Sequence, residues 1–188
     1  TVANRIYYTY LALNQLPIDG IIVIGAGEEA DNLAAGARIG SGGDAADLAL
    51  DPLEGAGIVA RGGNGAMSMI AAGPRGSFPT LPDMYMRKMA VGPVAGGKIE
   101  LRRPVAENVE AIADAFGRRV ADITTIVLDR PRHHDLIEEI RVAGARIKLI
   151  QDGDVTASIS AAIRGTNDHL AIGIGGTRQA VLAAAALR

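Results

Sequence analysis

Two acidic side chains three residues apart form the most specific short motif of the sequence. Asp51 and Glu54 belong to the segment Asp51-Pro52-Leu53-Glu54-Gly55, directly after a predicted strand. Hard divalent cations such as Mg²⁺ take oxygen ligands, so Asp51, the Leu53 carbonyl and Glu54 are a candidate metal site. Asp-Pro pairs also form ordinary turns, so the motif alone fits a metal site and a structural turn equally well.

Three later loops carry arginines, aspartates and glycines where predicted strands end. Arg130 and Arg132 follow the first of these strands. Asp152 and Asp154 follow the second, and Gly176 follows the third. Ligands of parallel sheets bind beyond the carboxyl ends of the strands, so the three loops should face one crevice. Because guanidinium groups and helix N-termini bind phosphate and carboxylates accept hydrogen bonds from sugar hydroxyls, the pattern predicts a polyhydroxylated phosphate ligand.

The same loop residues also have structural explanations. Pro131 is common in a first helical turn, Asp154 is a good N-cap, and Gly175-Gly176 allows close packing of strand and helix. Only their repetition at adjacent strand ends favours a binding site.

The three histidines are interpreted as solvated or structural. His133 and His134 fall in a predicted first helical turn, where exposure to solvent is the expected environment. His169 lies at the start of a predicted strand and is expected to be structural.

Helices and strands alternate regularly after Arg103, as is typical of parallel βαβ units. The predicted helices are 104–116, 132–143, 154–163 and an alanine-rich helix after Gly176, and the predicted strands are 123–128, 147–150 and 170–174. The first half is predicted to be α+β, with a helix over 1–15 and strands at 21–24, 46–50, 66–72 and 84–91. The expected class is therefore α/β, with a metal-motif half at 1–102 and a βαβ sugar-phosphate-binding half at 103–188.

Composition excludes several classes of protein. Hydrophobic residues make up 48% and charged residues 21%, a balance that excludes disorder, and no apolar run approaches the roughly 20 residues of a membrane span. A net charge of -2 makes nucleic acid a poor candidate partner. The absence of cysteine removes disulfides and thiolate chemistry, so a cytoplasmic enzyme or binding protein is expected.

Taken in order, these motifs resemble the class II fructose-1,6-bisphosphatases of bacteria, members of the lithium-sensitive, metal-dependent sugar-phosphate phosphatase superfamily. The family's chains are longer at both ends and fold as a layered αβα sandwich, so this chain, which opens without Met, is expected to be an incomplete fragment of that fold. The resemblance covers nearly the whole chain. It rests on Asp19-Gly20, Ile24 to Glu28, Asp51 to Gly55, Asp83 to Met86, Ala90 to Pro93, Arg130 to His133, Asp152 to Asp154 and Ile174 to Thr177.

The resemblance implies a substrate, a reaction and a set of contacts. The substrate is a sugar bisphosphate, fructose 1,6-bisphosphate or a relative, whose 1-phosphate is hydrolysed by water activated by Mg²⁺ or Mn²⁺. Asp51 and Glu54 take the catalytic and metal-binding roles. The implied substrate contacts, all present here, are Gly55, Tyr85, Arg130, Arg132, Asp152, Asp154 and Gly176.

The departures from the family concern metal and water activation. The acid of the family's first helix falls near Val2, the first Glu of its Gly-Glu-Gly-Glu motif is Ala26, and a late Glu is Gln179. The Thr that aligns the attacking water is Ala56. Glu28 and Gln179 are candidate substitute ligands. Since metal ions beside a phosphate dianion require several carboxylates, the metal site is expected to be impaired.

Two function classes follow from this pattern. The first is a sugar-bisphosphate phosphatase with an impaired metal site. The alternative is a catalytically weak paralogue that binds sugar phosphates as a sensor, regulatory or structural subunit, or an enzyme repurposed for a related phosphorylated metabolite. The apolar faces of the terminal helices predict a homo-oligomer.

Overall fold

The computed structural model describes residues 2–27 and 30–188, and the predicted α/β class is confirmed. In this part of the chain, no helix is long and apolar enough to cross a membrane. The helices are α1 Val2–Asn14, α2 Ala56–Ala60, α3 Val105–Phe116, α4 His134–Ala143, α5 Asp154–Ala162 and α6 Thr177–Ala186. The strands are β1 Ile18–Ile24, β2 Arg38–Ile39, β3 Asp44–Glu54, β4 Met67–Pro74, β5 Tyr85–Val91, β6 Thr124–Leu128, β7 Arg146–Ile150 and β8 Leu170–Gly176.

The chain divides into two compact units. Unit 1 comprises Thr1–Met84 together with Thr177–Ala186 and Arg188, and unit 2 comprises Tyr85–Gly176 with Leu187. The division between residues 102 and 103 that the sequence suggests stays a prediction.

Unit 1 contains a four-stranded mixed sheet in the order β2-β1-β3-β4. β1 and β3 are parallel, whereas β2 and β4 pair antiparallel with their neighbours. Ile22, Leu48 and Leu50 are fully buried on one face, where Leu13 of α1 packs against them. Since successive side chains of a strand point to opposite faces, Asp51 lies on the other face, where α6 contacts β3.

Unit 2 contains the sheet β5-β8-β6-β7 with helices on both faces. β7 and β8 run parallel to β6, as predicted, and β5 closes the edge antiparallel to β8. Val127 and Leu170 pack under α3 and α4. Their chain neighbours Ile126 and Ala171 pack under α5 on the opposite face. This alternation produces an αβα sandwich.

The ladder between β6 and β8 is short. It pairs Thr125 with Leu170 and Ile126 with Ala171, near the beginning of both strands. Beyond these pairs the two strands diverge toward their carboxyl ends. The divergence opens a crevice at the edge where the predicted binding loops lie.

The strand around the acidic motif is longer than predicted. β3 was expected to end at Leu50, but it continues through Asp51 to Glu54 and pairs with β4 across a register shift between these two residues. Pro52 lacks an N–H group for the ladder, and such a residue is tolerated in a strand at a bulge. The prediction that Asp51 and Glu54 stand in a loop is therefore wrong.

Candidate functional site

Arg130 and Asp152 lie together at the carboxyl edge of the unit 2 sheet. Arg130 follows β6 and Asp152 follows β7, and these parallel strands end at the same edge. Nη2 of Arg130 lies 3.9 Å from Oδ1 of Asp152, and both side chains are about one-third exposed. The structure thus brings one candidate phosphate-binding cation beside one candidate hydroxyl acceptor, both open to solvent.

Arg132 is oriented by β8 and by Tyr85. Its Nε donates a 3.0 Å hydrogen bond to the carbonyl oxygen of Ile174. Its guanidinium lies over the ring of Tyr85, 4.9 Å from the ring centroid. Tyr85 is exposed and is the register partner of Gly176 in the β5–β8 ladder. Because Nε and the cation–π contact fix the plane of the guanidinium, the terminal nitrogens are oriented before a phosphate arrives.

Asp154 forms an ion pair with Lys88, a residue that the sequence analysis missed. Oδ2 of Asp154 contacts Nζ of Lys88, which also lies 3.4 Å from the carbonyl oxygen of Gly176. The expected N-cap role of Asp154 is wrong, because Gly153 is the N-cap of α5 and Asp154 is its first residue. Lys88 escaped notice because the sequence does not show that β5 pairs with β8; a lysine among the apolar residues of a strand was the only signal.

Gly175 allows Lys88 and Asp154 to meet. A Cβ atom at this position would lie 2.5 Å from Oδ2 of Asp154 and 2.6 Å from Nζ of Lys88. The cavity beside this pair measures only about 30 Å³. This space is too small for a sugar phosphate.

His133 is a buried bridge between strands, so the expectation of a solvated side chain is wrong. It is fully buried, and its Nε2 accepts a 2.8 Å hydrogen bond from the N–H of Ile174. Nδ1 lies 2.8 Å from the carbonyl oxygen of Leu128. Because Nε2 accepts, Nδ1 carries the proton of the neutral imidazole and donates it to that carbonyl. His134, by contrast, is exposed.

The acidic motif lies in unit 1 on the bulge of β3. Asp51 and Glu54 are each 6% exposed. Oδ1 of Asp51 accepts a 3.1 Å hydrogen bond from the N–H of Leu53, and Oδ2 accepts a 3.0 Å bond from Nε2 of Gln179 in α6. Gly55 follows with a φ of 91°, a left-handed conformation that favours glycine, and is the N-cap of α2. Glu28 lies outside the described residues.

The sequence matches a known family along almost its whole length. The family described as bacterial fructose-1,6-bisphosphatase, glpX-encoded, matches residues 9–188. The chain belongs to this family of class II fructose-1,6-bisphosphatases.

Its relatives include several cyanobacterial proteins named D-fructose 1,6-bisphosphatase class 2/sedoheptulose 1,7-bisphosphatase. The protein of Synechococcus sp. (strain JA-3-3Ab) is 44% identical over 94% of this chain and 55% of its own length. The protein of Parasynechococcus marenigrum (strain WH8102) is 44% identical over 94% of this chain and 54% of its own length. The protein of Microcystis aeruginosa (strain NIES-843 / IAM M-2473) is 41% identical over 94% of this chain and 55% of its own length. The chain spans about half the length of these curated relatives.

Membership of the family implies use of a divalent metal, but the described residues do not fit a complete metal centre. Residues 2–27 and 30–188 contain no group of three acidic or histidine side chains that could hold a metal ion. One oxygen of Asp51 is occupied by the Gln179 amide, and Ala26 has no ligand atom. Two buried carboxylates and one neutral amide supply less charge than a two-metal phosphatase site requires.

Proposed function

We propose that this chain binds a sugar bisphosphate, fructose 1,6-bisphosphate or a related ketose bisphosphate, and hydrolyses its 1-phosphate slowly. The observation that carries the proposal is the Arg132–Tyr85 contact at the edge of unit 2, because it holds toward solvent a guanidinium that forms no ion pair with any described residue. Arginine held in this way suits bidentate recognition of a phosphate.

The charges at this edge favour an anionic, hydroxylated ligand. Lys88, Arg130 and Arg132 supply cations for a phosphate, and Asp129, already hydrogen-bonded to Gln151, stands at the same edge beside the carboxylates of Asp152 and Asp154. The two carboxylates accept hydrogen bonds from sugar hydroxyls, which inorganic phosphate alone does not supply. A sugar phosphate satisfies both kinds of group at once.

Slow hydrolysis follows from the groups around Asp51. Phosphoryl transfer depends on neutralising the charge of the transferred group and positioning the attacking water. Asp51 and Glu54 are the acidic groups proposed for this chemistry, but the amide of Gln179 is neutral and Ala56 has no hydroxyl to position water. We therefore expect the chain to bind the sugar bisphosphate well but to hydrolyse it slowly.

A second candidate function is favoured by the hydrogen bond between Gln179 and Asp51. An amide that already occupies a carboxylate oxygen is compatible with a protein that binds sugar phosphates without turning them over. Such a protein would act as a sensor, regulatory or structural subunit.

Two measurements on the same preparation separate these functions. Phosphate release from fructose 1,6-bisphosphate is followed with Mg²⁺ or Mn²⁺, and binding of the same sugar is measured by calorimetry in EDTA. Binding with slow, metal-dependent release supports the phosphatase, and binding without release supports the sensor. Absence of binding overturns both.

We also propose a homo-oligomer that covers α1. Tyr7 and Tyr8 are 58% and 65% exposed, and Leu11 of the same helix is exposed as well. Clustered apolar side chains on one helix are typical of an interface between subunits. Light scattering should give a mass above 19.4 kDa over a wide range of concentrations, and a persistent monomer contradicts the proposal.

A further inference from the structure

A second cavity of unit 2 lies at the opposite edge of the sheet from the proposed sugar-phosphate site. It has a volume of about 470 Å³, and its walls include Phe116, Arg118, Arg164, His169 and the turn 92–94. His169 directly precedes β8, whereas Gly176 ends this strand. At about 3.3 Å per residue, the two sites are roughly 20 Å apart.

The hydrogen bonds of His169 determine where its proton lies. The imidazole is 3% exposed, and Nδ1 accepts a 3.0 Å hydrogen bond from the backbone N–H of Thr124. A backbone N–H cannot accept in return, so Nδ1 is unprotonated and the neutral ring carries its proton on Nε2. Burial lowers the pKa of His169, and the guanidinium of Arg118 lowers it further against the opposing effect of Asp168. The ring is therefore neutral near pH 7.

This tautomer places two hydrogen-bond donors against each other. Nε2 of His169 lies 3.0 Å from Nη1 of Arg118, and both nitrogens carry hydrogen. Neither can accept from the other, so the contact is unfavourable as it stands. An oxyanion bound beside these two nitrogens would accept a hydrogen bond from each of them. The bond from Arg118 would be charge-assisted, and the bond from the neutral imidazole would not.

The other charges near the cavity also favour an anion. Arg164 makes no ion pair or hydrogen bond with any residue that the structure describes. Asp168, which also lines the cavity, is already paired, because Oδ2 accepts from Nζ of Lys148 at 2.9 Å and from Oγ of Ser160 at 2.5 Å. Within the part of the chain that the structure describes, neither arginine forms an ion pair, although Arg118 lies close enough to Asp122 to help lower the pKa of that carboxyl.

Another part of the cavity lining offers backbone acceptors. The carbonyl oxygens of Ala161 and Ala162, at the end of α5, lie against Gly92, where an added Cβ would approach them to 3.4 Å and 3.0 Å. These oxygens disfavour a second negative charge and favour hydroxyl donors.

We propose that this cavity is a second binding site for a small hydroxylated oxyanion, a phosphate monoester or a carboxylate, which accepts from Arg118, Arg164 and Nε2–H of His169. It is separate from the sugar-bisphosphate site at the other edge of the same sheet. Neither the occupancy of that site nor turnover is required for binding here.

Imidazole resonances provide a local probe, because the chain has three histidines. The intact protein is titrated with inorganic phosphate, glycerol 3-phosphate and malonate, and the carbon-bound imidazole protons are followed by NMR. A saturable shift of His169 is expected. Glycerol 3-phosphate should bind more tightly than inorganic phosphate if the hydroxyls reach the carbonyl wall, and malonate shows whether a carboxylate serves as well.

Substitutions assign the shift to the cavity. Arg118→Gln and Arg164→Gln should each raise the Kd of the anion roughly tenfold, as expected for loss of a charge-assisted hydrogen bond. The matched control is Arg119→Gln, which changes the neighbouring exposed arginine that pairs with Asp122 at 3.0 Å and should leave affinity within twofold. Arg132→Gln should also leave the His169 shift intact, whereas it should weaken the binding of fructose 1,6-bisphosphate.

Three outcomes overturn the proposal. The first is a His169 shift that grows linearly without saturation for all three anions. The second is equal affinity in Arg118→Gln and Arg119→Gln. The third is loss of the shift in Arg132→Gln, which would place the anion at the other edge. Because the readout is His169 rather than turnover, failure of the proposed phosphatase leaves this test unaffected.

Discussion

The side-chain amide of Gln179 donates a 3.0 Å hydrogen bond to Oδ2 of Asp51, joining the start of α6 to the bulge of β3. A neutral donor thus satisfies a carboxylate of a residue that is only 6% exposed. The bond thus gives Oδ2 of Asp51 a partner without a cation. The amide also competes for the oxygen that a metal ion would use.

Replacing this amide with an acid should create a metal-dependent stability. Gln179→Glu removes a hydrogen bond and faces two carboxylates toward each other, so we expect Tm in EDTA to fall by roughly 5 °C. Mn²⁺ should restore much of this loss and have a smaller effect on the unmodified protein. Gln15→Glu, on the exposed end of the first helical segment, is the control and should respond little to Mn²⁺. Equal metal responses in both variants would contradict the interpretation of this site.

Restoring the family's groups together should raise turnover. The triple variant Ala26→Glu, Ala56→Thr and Gln179→Glu supplies two acids and one hydroxyl, and we expect phosphate release from fructose 1,6-bisphosphate with Mn²⁺ to rise about a hundredfold. The individual gains need not add. Rapid turnover by the unmodified protein, with no gain in the triple variant, would show that the metals are held by other ligands.

Loss of the oriented guanidinium should weaken sugar-bisphosphate binding. Arg132→Gln removes both the charge over Tyr85 and the donor to Ile174, so Kd for fructose 1,6-bisphosphate in EDTA should rise by about ten- to a hundredfold. Arg141→Gln is the matched control, because Arg141 is an exposed arginine of unit 2 that pairs with Glu138. Calorimetry that finds the two variants equal would remove Arg132 from the site.

A methyl group at Gly175 should separate Lys88 from Asp154. The added Cβ of Gly175→Ala would displace both charged ends, which are the flexible tips of their side chains, so we expect a loss of about 1 kcal/mol in the free energy of unfolding together with weaker sugar binding. In the control Gly96→Ala, the nearest atom to the new Cβ is the Pro93 carbonyl oxygen at 3.3 Å, which requires only a small adjustment. Urea denaturation of the two variants measures the difference, and similar losses would argue against the close approach.

Acidification should destabilise the protein through His169. Burial and the Arg118 guanidinium lower its pKa below the ordinary value of 6.5, although Asp168 opposes this effect. Below pH 6.5 the unfolded chain therefore binds a proton that folded His169 does not, and the free energy of unfolding falls, by at most about 1.4 kcal/mol per pH unit. His169→Asn should flatten the dependence between pH 7 and 5, whereas His134→Asn, at an exposed site, should not.

The regular half of the chain was predictable because local patterns and packing agree there. The helices and strands after Arg103 follow their predicted order, since each apolar run is long enough to reach the core and each is bounded by glycine or polar residues. The meeting of Arg130 with Asp152 follows from the same rule, because parallel strands end at one edge.

The features that escaped prediction depend on partners distant in the sequence. Lys88 joins the site only because β5 pairs antiparallel with β8, a register that no local pattern encodes. Pro52 predicts the end of a strand, but β3 continues to Glu54 because it pairs with β4 on both sides of this proline. His133 is buried because Leu128 and Ile174 supply its hydrogen-bond partners. The position of a histidine in the first turn of a predicted helix does not reveal either contact.

The imidazole of His133 sets the width of the crevice between β6 and β8. Paired strands lie about 4.8 Å apart, but here a rigid ring with a hydrogen bond on each side spans the carbonyl of Leu128 and the N–H of Ile174. A Cβ on Gly173 would meet this ring at 3.0 Å, so the neighbouring backbone holds the ring in place. The mouth between the strands is consequently preorganised: the backbone groups that would otherwise pull the strands together are already satisfied, so a ligand that binds the loops beyond this mouth need not separate the strands.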